Sequence, residues 1–131
     1  MSVRVGIDLV TVSSVSSLLE AHGERYLARV FTPREIADST GVVGAQPERL
    51  AARFAAKEAT LKVLRVAARE SVPWLAIEVR RAPEGWTTLA LTGRAAALAA
   101  EAGIEDLAVS LTHEDEYASA VVIAELGPNS R

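Results

Sequence analysis

The sequence has no cysteine, which excludes disulfide scaffolds, thiolate-ligated zinc, iron–sulfur clusters and cysteine nucleophiles, and allows a reducing compartment. Aromatic residues make up only 5% of the chain, so the core must be aliphatic. Charges interrupt every apolar run well before the roughly eighteen residues of a membrane span, and Met1 to Gly6 carry no signal-peptide pattern. The expectation is a soluble, cytoplasmic protein with no membrane partner. There is no excess of positive charge either. A net charge of −3 argues against a nucleic-acid binder driven by counterion release, so any phosphate chemistry must be local. Also missing are H-E-x-x-H, G-x-x-x-x-G-K-[ST] and G-x-S-x-G, which removes zincin, P-loop and serine-hydrolase readings. Lysine is scarce. Of fourteen basic side chains only Lys57 and Lys62 are lysine, and both fall in one stretch of helix, where a compact ammonium differs in reach and hydration from a guanidinium.

What is present fits one domain. A length of 131 residues is enough for a single core, expected over residues 1–126 with a flexible tail at 127–131. Val3, Val5, Ile7 and Leu9 alternate with Arg4, Gly6 and Asp8, the period-two signature of a half-buried strand, with Asp8 on the face opposite the apolar one. Thr11 or Ser13 opens a helix that stops at His22-Gly23, and residues 24–31 form a second short helix. Thr32-Pro33-Arg34-Glu35 has the capping-box order with Pro at the first helical position, opening a helix that ends near Gly41. A loop follows to Pro47. From there to about Arg69 runs the longest helical pattern, with Leu50, Phe54, Leu61 and Leu64 on one stripe. Strands are expected at 74–81 and 86–91, an Ala-rich helix at 93–102, and a closing hairpin at 107–112 and 117–124. Helices early and strands late favour an α+β domain with a largely antiparallel sheet.

Three groups of residues stand out for chemistry. Asp8 lies in a β-branched strand, where a carboxylate is disfavoured unless it faces water or meets a cation. Arg53-Phe54-Ala55-Ala56-Lys57-Glu58-Ala59-Thr60-Leu61-Lys62 places Glu58 and Lys62 on one edge of the apolar stripe and Arg53 on the other. In isolation Glu58 and Lys62 make an ordinary i,i+4 surface pair. Lys57 falls inside the stripe, where it must snorkel or meet an anion. His113 closes the strand Ser110-Leu111-Thr112; a lone histidine there is either a turn residue or a ligand.

In their order, Val5-Gly6-Ile7-Asp8-Leu9-Val10, Phe31-Thr32-Pro33-Arg34-Glu35, the 50–62 segment with Phe54-Ala55-Ala56-Lys57-Glu58-Ala59, Ile77-Glu78-Val79, Leu91-Thr92-Gly93 and Val109-Ser110-Leu111-Thr112-His113 resemble the holo-acyl-carrier-protein synthases. The resemblance spans nearly the whole chain. It implies a 4′-phosphopantetheinyl transferase-like α+β fold with a largely antiparallel sheet packed against a long helix. It implies an enzyme that moves 4′-phosphopantetheine from coenzyme A to a serine of apo acyl carrier protein, dependent on Mg²⁺, releasing adenosine 3′,5′-bisphosphate. Asp8 and Glu58 map to the metal carboxylates, a donor set suited to a Mg²⁺ that keeps waters and substrate phosphates. Lys62 maps beside the pyrophosphate as catalytic and coenzyme-binding residue, and Arg53, Ser110 and His113 map to the coenzyme, with Arg53 and His113 toward its 3′-phosphate. Either Glu58 or a metal-bound water is the base for the attacking serine. Short members of the family are homotrimers with sites between subunits, and the strands 107–111 and 121–123 are expected to form much of the interface.

The chain departs from the family pattern in three places. Its first helix, Val12-Ser13-Ser14-Val15-Ser16-Ser17-Leu18-Leu19-Glu20, lacks the basic residues that meet an acidic carrier, with Arg25 and Arg29 on the next helix as substitutes. After Lys62 a Gly-containing turn is replaced by Val63-Leu64-Arg65-Val66, which reads as continued helix. A Gly-x-Pro becomes Gly85-Trp86-Thr87. The competing readings are a non-catalytic relative that keeps the trimeric fold and binds coenzyme A or a carrier, and an unrelated small α+β binding domain.

Overall fold

Pro47, which needs no hydrogen-bond donor in the first turn, starts an eighteen-residue helix over Pro47–Leu64, and everything else is arranged around it. A computed structural model describes residues 2–128; of the expected tail, 129–131 lie outside the described residues. Before the long helix, α4, come β1 (Ser2–Thr11), α1 (Val12–His22), α2 (Glu24–Val30), α3 (Pro33–Asp38), β2 (Thr40–Gly41) and β3 (Gly44–Ala45). After it come a 3₁₀ turn (Trp74–Ala76), β4 (Ile77–Arg81), β5 (Thr87–Leu91), α5 (Gly93–Ala102), β6 (Ile104–His113) and β7 (Tyr117–Leu126). The main sheet has the order β1-β7-β6, antiparallel throughout, while β4 and β5 pair antiparallel as a separate hairpin. This is the α+β architecture expected from the sequence.

Small side chains explain how so few aromatics suffice. Ala51, Ala52, Ala55, Ala56 and Ala59 of α4 are fully or almost fully buried, and so are Ala118, Ala120, Val122 and Ala124 on the inner face of β7. Alanine against alanine lets helix and sheet approach closely, so dispersion contacts between backbones replace bulky knobs. Gly6 is the extreme case. A Cβ there would lie 2.2 Å from the Ala59 carbonyl oxygen, so only glycine allows β1 to cross α4 at this distance.

Four local expectations are corrected. The long helix stops at Leu64 rather than near Arg69, because Arg65 turns into the left-handed region (φ 53°, ψ 50°) and its N–H caps the Leu61 and Lys62 carbonyls. Residues 41–47 are not all loop, since β2 and β3 pair as a minimal hairpin with Val42 and Val43 at its tip. The apolar face of β1 is not the buried one. Val5 and Leu9 are 62% and 65% exposed, with Val3 and Ile7 similar, while the Arg4, Gly6, Asp8 and Val10 face turns toward α4. Ile123 of β7 shares the outer face as the partner of Val5. Leu107, Val109 and Leu111 of β6, expected at a subunit interface, pack inward against the core.

Candidate active site

Two clusters of charge form on different sides of α4. The first joins β1 to the last turns of the helix. The close crossing at Gly6 carries Asp8 to Lys62, whose Nζ lies 3.3 Å from Asp8 Oδ1 and donates to the Ile7 carbonyl at 2.7 Å. Ser119 Oγ donates to the Asp8 carbonyl at 2.9 Å, fixing the strand behind the carboxylate. Glu58, one turn before Lys62, is half-buried. Burial and then the neighbouring Asp8 carboxylate push its proton affinity above the ordinary glutamate range, with Lys62 opposing. The i,i+4 pair expected between Glu58 and Lys62 is absent among the described salt bridges; Lys62 turns to β1 instead.

Two neighbouring carboxylates, of which Asp8 raises the proton affinity of Glu58, beside a half-exposed lysine suit a divalent cation. No group of three or more His, Cys, Asp or Glu able to hold a metal occurs among the described residues, so no all-protein cage is present. A pair of carboxylates open to solvent instead matches a hard cation that keeps water and substrate phosphate in its shell. The donor set therefore fits Mg²⁺.

The second cluster lines a cavity of about 210 Å³ between α4, the β4–β5 hairpin and the end of β6, with Arg49, Arg53, Arg81 and His113 facing one acid, Asp38. Arg53 is buried, and burial lowers the proton affinity of its guanidinium while Asp38 and Glu35 oppose the shift. Its Nη1 donates to the Arg49 carbonyl at 3.2 Å, whereas its buried Nε has no hydrogen-bond partner among the described residues. An uncompensated buried guanidinium N–H in a cavity of positive excess is a fit for an anion. Ser110 is not brought to this cavity. It pairs with Val121 on the outward face of β6, whereas the next residue, Leu111, lines the cavity.

Lys57 meets the anion that its position demands. Its Nζ lies 2.8 Å from Glu35 Oε1 and donates to the Trp74 and Ile77 carbonyls, with both side chains of the pair fully buried. Glu35 Oε1 also accepts from the Thr32 N–H, completing the capping box, and Oε2 accepts from the Val79 N–H at 2.8 Å. This pair ties α3, α4 and β4 together and leaves nothing open to a ligand. Sequence reasoning missed Arg49 and Arg81. Arg49 stands four residues before Arg53, a helical spacing that was there to be read, whereas Arg81 enters the cavity only through the β4–β5 pairing.

Comparison with known proteins agrees with this architecture. A family model described as the 4′-phosphopantetheinyl transferase superfamily matches residues 4–122. The holo-[acyl-carrier-protein] synthase of Koribacter versatilis is 39% identical over 95% of this chain and 99% of its own. That of Desulforudis audaxviator is 42% identical over 98% and 96%. Among solved structures, the ACPS–CoA complex of Chronobacterium ammoniagenes superposes with a TM-score of 0.82 at 30% identity, covering 97% of this chain and 99% of that one. With relatives of this identity along nearly its whole length, the chain belongs to the holo-[acyl-carrier-protein] synthases of the 4′-phosphopantetheinyl transferase superfamily.

Proposed function

We propose that this protein transfers 4′-phosphopantetheine from coenzyme A to a serine of an apo acyl carrier protein, dependent on Mg²⁺, and releases adenosine 3′,5′-bisphosphate. The observation that carries the reading is the Asp8–Glu58 pair with Lys62 beside it. Asp8 and Glu58 would hold the cation. When bound, Mg²⁺ supplies charge neutralisation and polarisation of the diphosphate oxygens. The serine hydroxyl attacks the phosphorus that bears pantetheine, its new P–O bond forming as the bond from that phosphorus to the bridging oxygen breaks. Adenosine 3′,5′-bisphosphate departs with the bridging oxygen. Glu58 takes the serine proton, and the ammonium of Lys62 meets the charge growing on the departing phosphate.

Arg49, Arg53, Arg81 and His113 receive the coenzyme's 3′-phosphate. Arg53 and Glu58 are five residues apart on α4, about 140° around the helix, so the two clusters of one chain face different ways. A homotrimer with sites shared between neighbouring copies resolves this. Its interface is the exposed apolar face of β1 and β7, a contiguous surface of the kind that marks an interaction site, and Ser110 joins the coenzyme from there. A cysteine-free chain using coenzyme A fits the cytoplasm.

The carrier docks between α1 and α2, where a groove of about 370 Å³ is lined by Leu18, His22, Arg25, Tyr26 and Arg29. An apolar floor with two guanidinium groups complements an acidic amphipathic helix, so Arg25 and Arg29 take over a role that α1 cannot fill. Reversing both charges (Arg25→Glu with Arg29→Glu) is expected to weaken carrier binding more than about tenfold, with coenzyme binding unchanged; equal carrier affinity would place docking elsewhere. The activity itself is tested by intact-protein mass spectrometry of apo carriers, type I and type II, incubated with the protein, coenzyme A and Mg²⁺. Gain of one phosphopantetheine, lost with EDTA, supports the transferase. Coenzyme binding without gain on any carrier supports the non-catalytic relative.

A further inference from the structure

Among the described residues, Asp38 is the one acid that lines the arginine cavity. It is the last residue of α3, where a helix presents its carbonyl ends and a negative charge is disfavoured. Arg49, Arg53 and Arg81 line the same cavity, which explains a negative charge there but not its failure to pair with any of them. The Asp38 Oδ2 is buried with no hydrogen-bond partner, and the side chain joins no ion pair among the described residues. Arg53 Nε is buried and unpartnered too. An acceptor and a donor, each costly to leave unpaired, thus border one space without meeting.

A bare anion answers only half of this arrangement. Phosphate oxygens accept from Arg53, but an ionised carboxylate can only accept as well, so Asp38 repels the phosphate unless the ligand also brings a donor. That donor must lie close to the phosphate, because the residues that carry both unpaired atoms line a single cavity of about 210 Å³. Asp38 and Arg81 also line an adjoining cavity of about 390 Å³, together with Arg34, Ala82 and Pro83. The carboxylate therefore stands at the border of the two spaces, and a ligand that continues outward from its phosphate passes it.

We propose that Asp38 is a binding and specificity residue that accepts a hydrogen bond from a hydroxyl vicinal to the bound phosphate. The ligand class is the phosphate monoester of a vicinal diol. The proposal rests on the functional reading above, in which the phosphate is the coenzyme's 3′-phosphate and the hydroxyl is the 2′-hydroxyl of the same ribose. The site then reads the sugar as well as the phosphate, since a 2′-deoxy ligand leaves the carboxylate unpaired beside a second anion.

Adenosine 3′,5′-bisphosphate and its 2′-deoxy analogue differ in that hydroxyl alone, so their affinity ratio within one protein cancels general damage to the site. Calorimetry on the parent is expected to show the deoxy analogue binding about tenfold to a hundredfold more weakly. Asp38→Ala is expected to bring the two affinities within about twofold of each other, chiefly by tighter binding of the deoxy analogue, which no longer meets a carboxylate. Asp38→Asn keeps the shape and a neutral acceptor, and an intermediate ratio is expected; this variant decides where Asp38→Ala fails to fold or to bind. Equal affinities in the parent overturn the proposal. So does a parent-sized ratio in the variants, with both ligands bound more tightly by the same factor, which would leave Asp38 as a counter-charge to the arginines. Ribose selectivity that is lost in the variants of a protein transferring nothing to any carrier fails the functional reading and leaves this inference standing. Transfer without ribose selectivity fails this inference alone, and a parent that binds neither ligand fails both.

Discussion

The only two lysines of the chain sit five residues apart on one helix and each faces a carboxylate, yet their surroundings differ in every respect that matters. Lys57 spends its three N–H groups on Glu35, the Trp74 carbonyl and the Ile77 carbonyl, with no exposure at either end of the ion pair. Lys62 is 55% exposed, holds Asp8 at a long 3.3 Å, and keeps donor capacity for something outside the protein. The first is a closed account of hydrogen bonds that fixes three elements. The second is an open one. Charge type and spacing alone do not separate a lysine closed inside the fold from one open to a ligand; saturation of its donors does.

Breaking the closed pair has the largest expected effect on stability. Lys57→Met leaves Glu35 buried without its cation, and the expected cost is about 3–5 kcal/mol in chemical denaturation. Removing the partner as well is expected to give little rescue, because Glu35 also satisfies the Thr32 and Val79 N–H groups. Lys62→Met inverts the pattern. Its exposed pair should cost less than about 1 kcal/mol of stability, while single-turnover transfer falls by about a hundredfold. A Lys62 variant that unfolds, or a Lys57 variant that does not, would erase the distinction.

A smaller effect sharpens the same contrast from the acid side. The folded state holds Glu58's proton more tightly than the unfolded chain does, so this group's contribution is most favourable below the ordinary glutamate range and is lost as pH rises through the raised value. Because the side chain is only half-buried and solvent screens it, the penalty at neutral pH is about a few tenths of a kcal/mol. Glu58→Gln should therefore stabilise the metal-free protein slightly at neutral pH and not at all in acid, as read from unfolding midpoints across pH. A loss of stability at neutral pH would mean that the carboxylate contributes favourably to the fold.

Much of this was legible in the sequence, and what was not has physical causes. Period-two alternation gave β1, and Pro47 with an apolar stripe gave the start of α4. Alternation alone does not say whether an apolar face meets a core or another molecule, so the outward turn of Val3, Val5, Ile7 and Leu9 was unreadable. The end of α4 was missed because Arg65 occupies a conformation that its residue type disfavours. Asp8, Glu58 and Lys62 stood out in the sequence by their chemistry and order, and the fold brings Asp8 against Lys62 with Glu58 beside them. The arginine cavity was seen only in part, since its walls come from three elements far apart along the chain. Lys57's need for an anion was visible, but Glu35 was concealed by its more obvious role in a helix cap.

The central claim is that reaction occurs at the open end of α4, where Asp8 and Glu58 converge. The most direct measurement is single-turnover transfer of phosphopantetheine to an apo carrier by Asp8→Ala and Glu58→Ala, with circular dichroism of the same samples. The account predicts abolished transfer in both at native fold; transfer at the parent rate in both, with the fold intact, would contradict it.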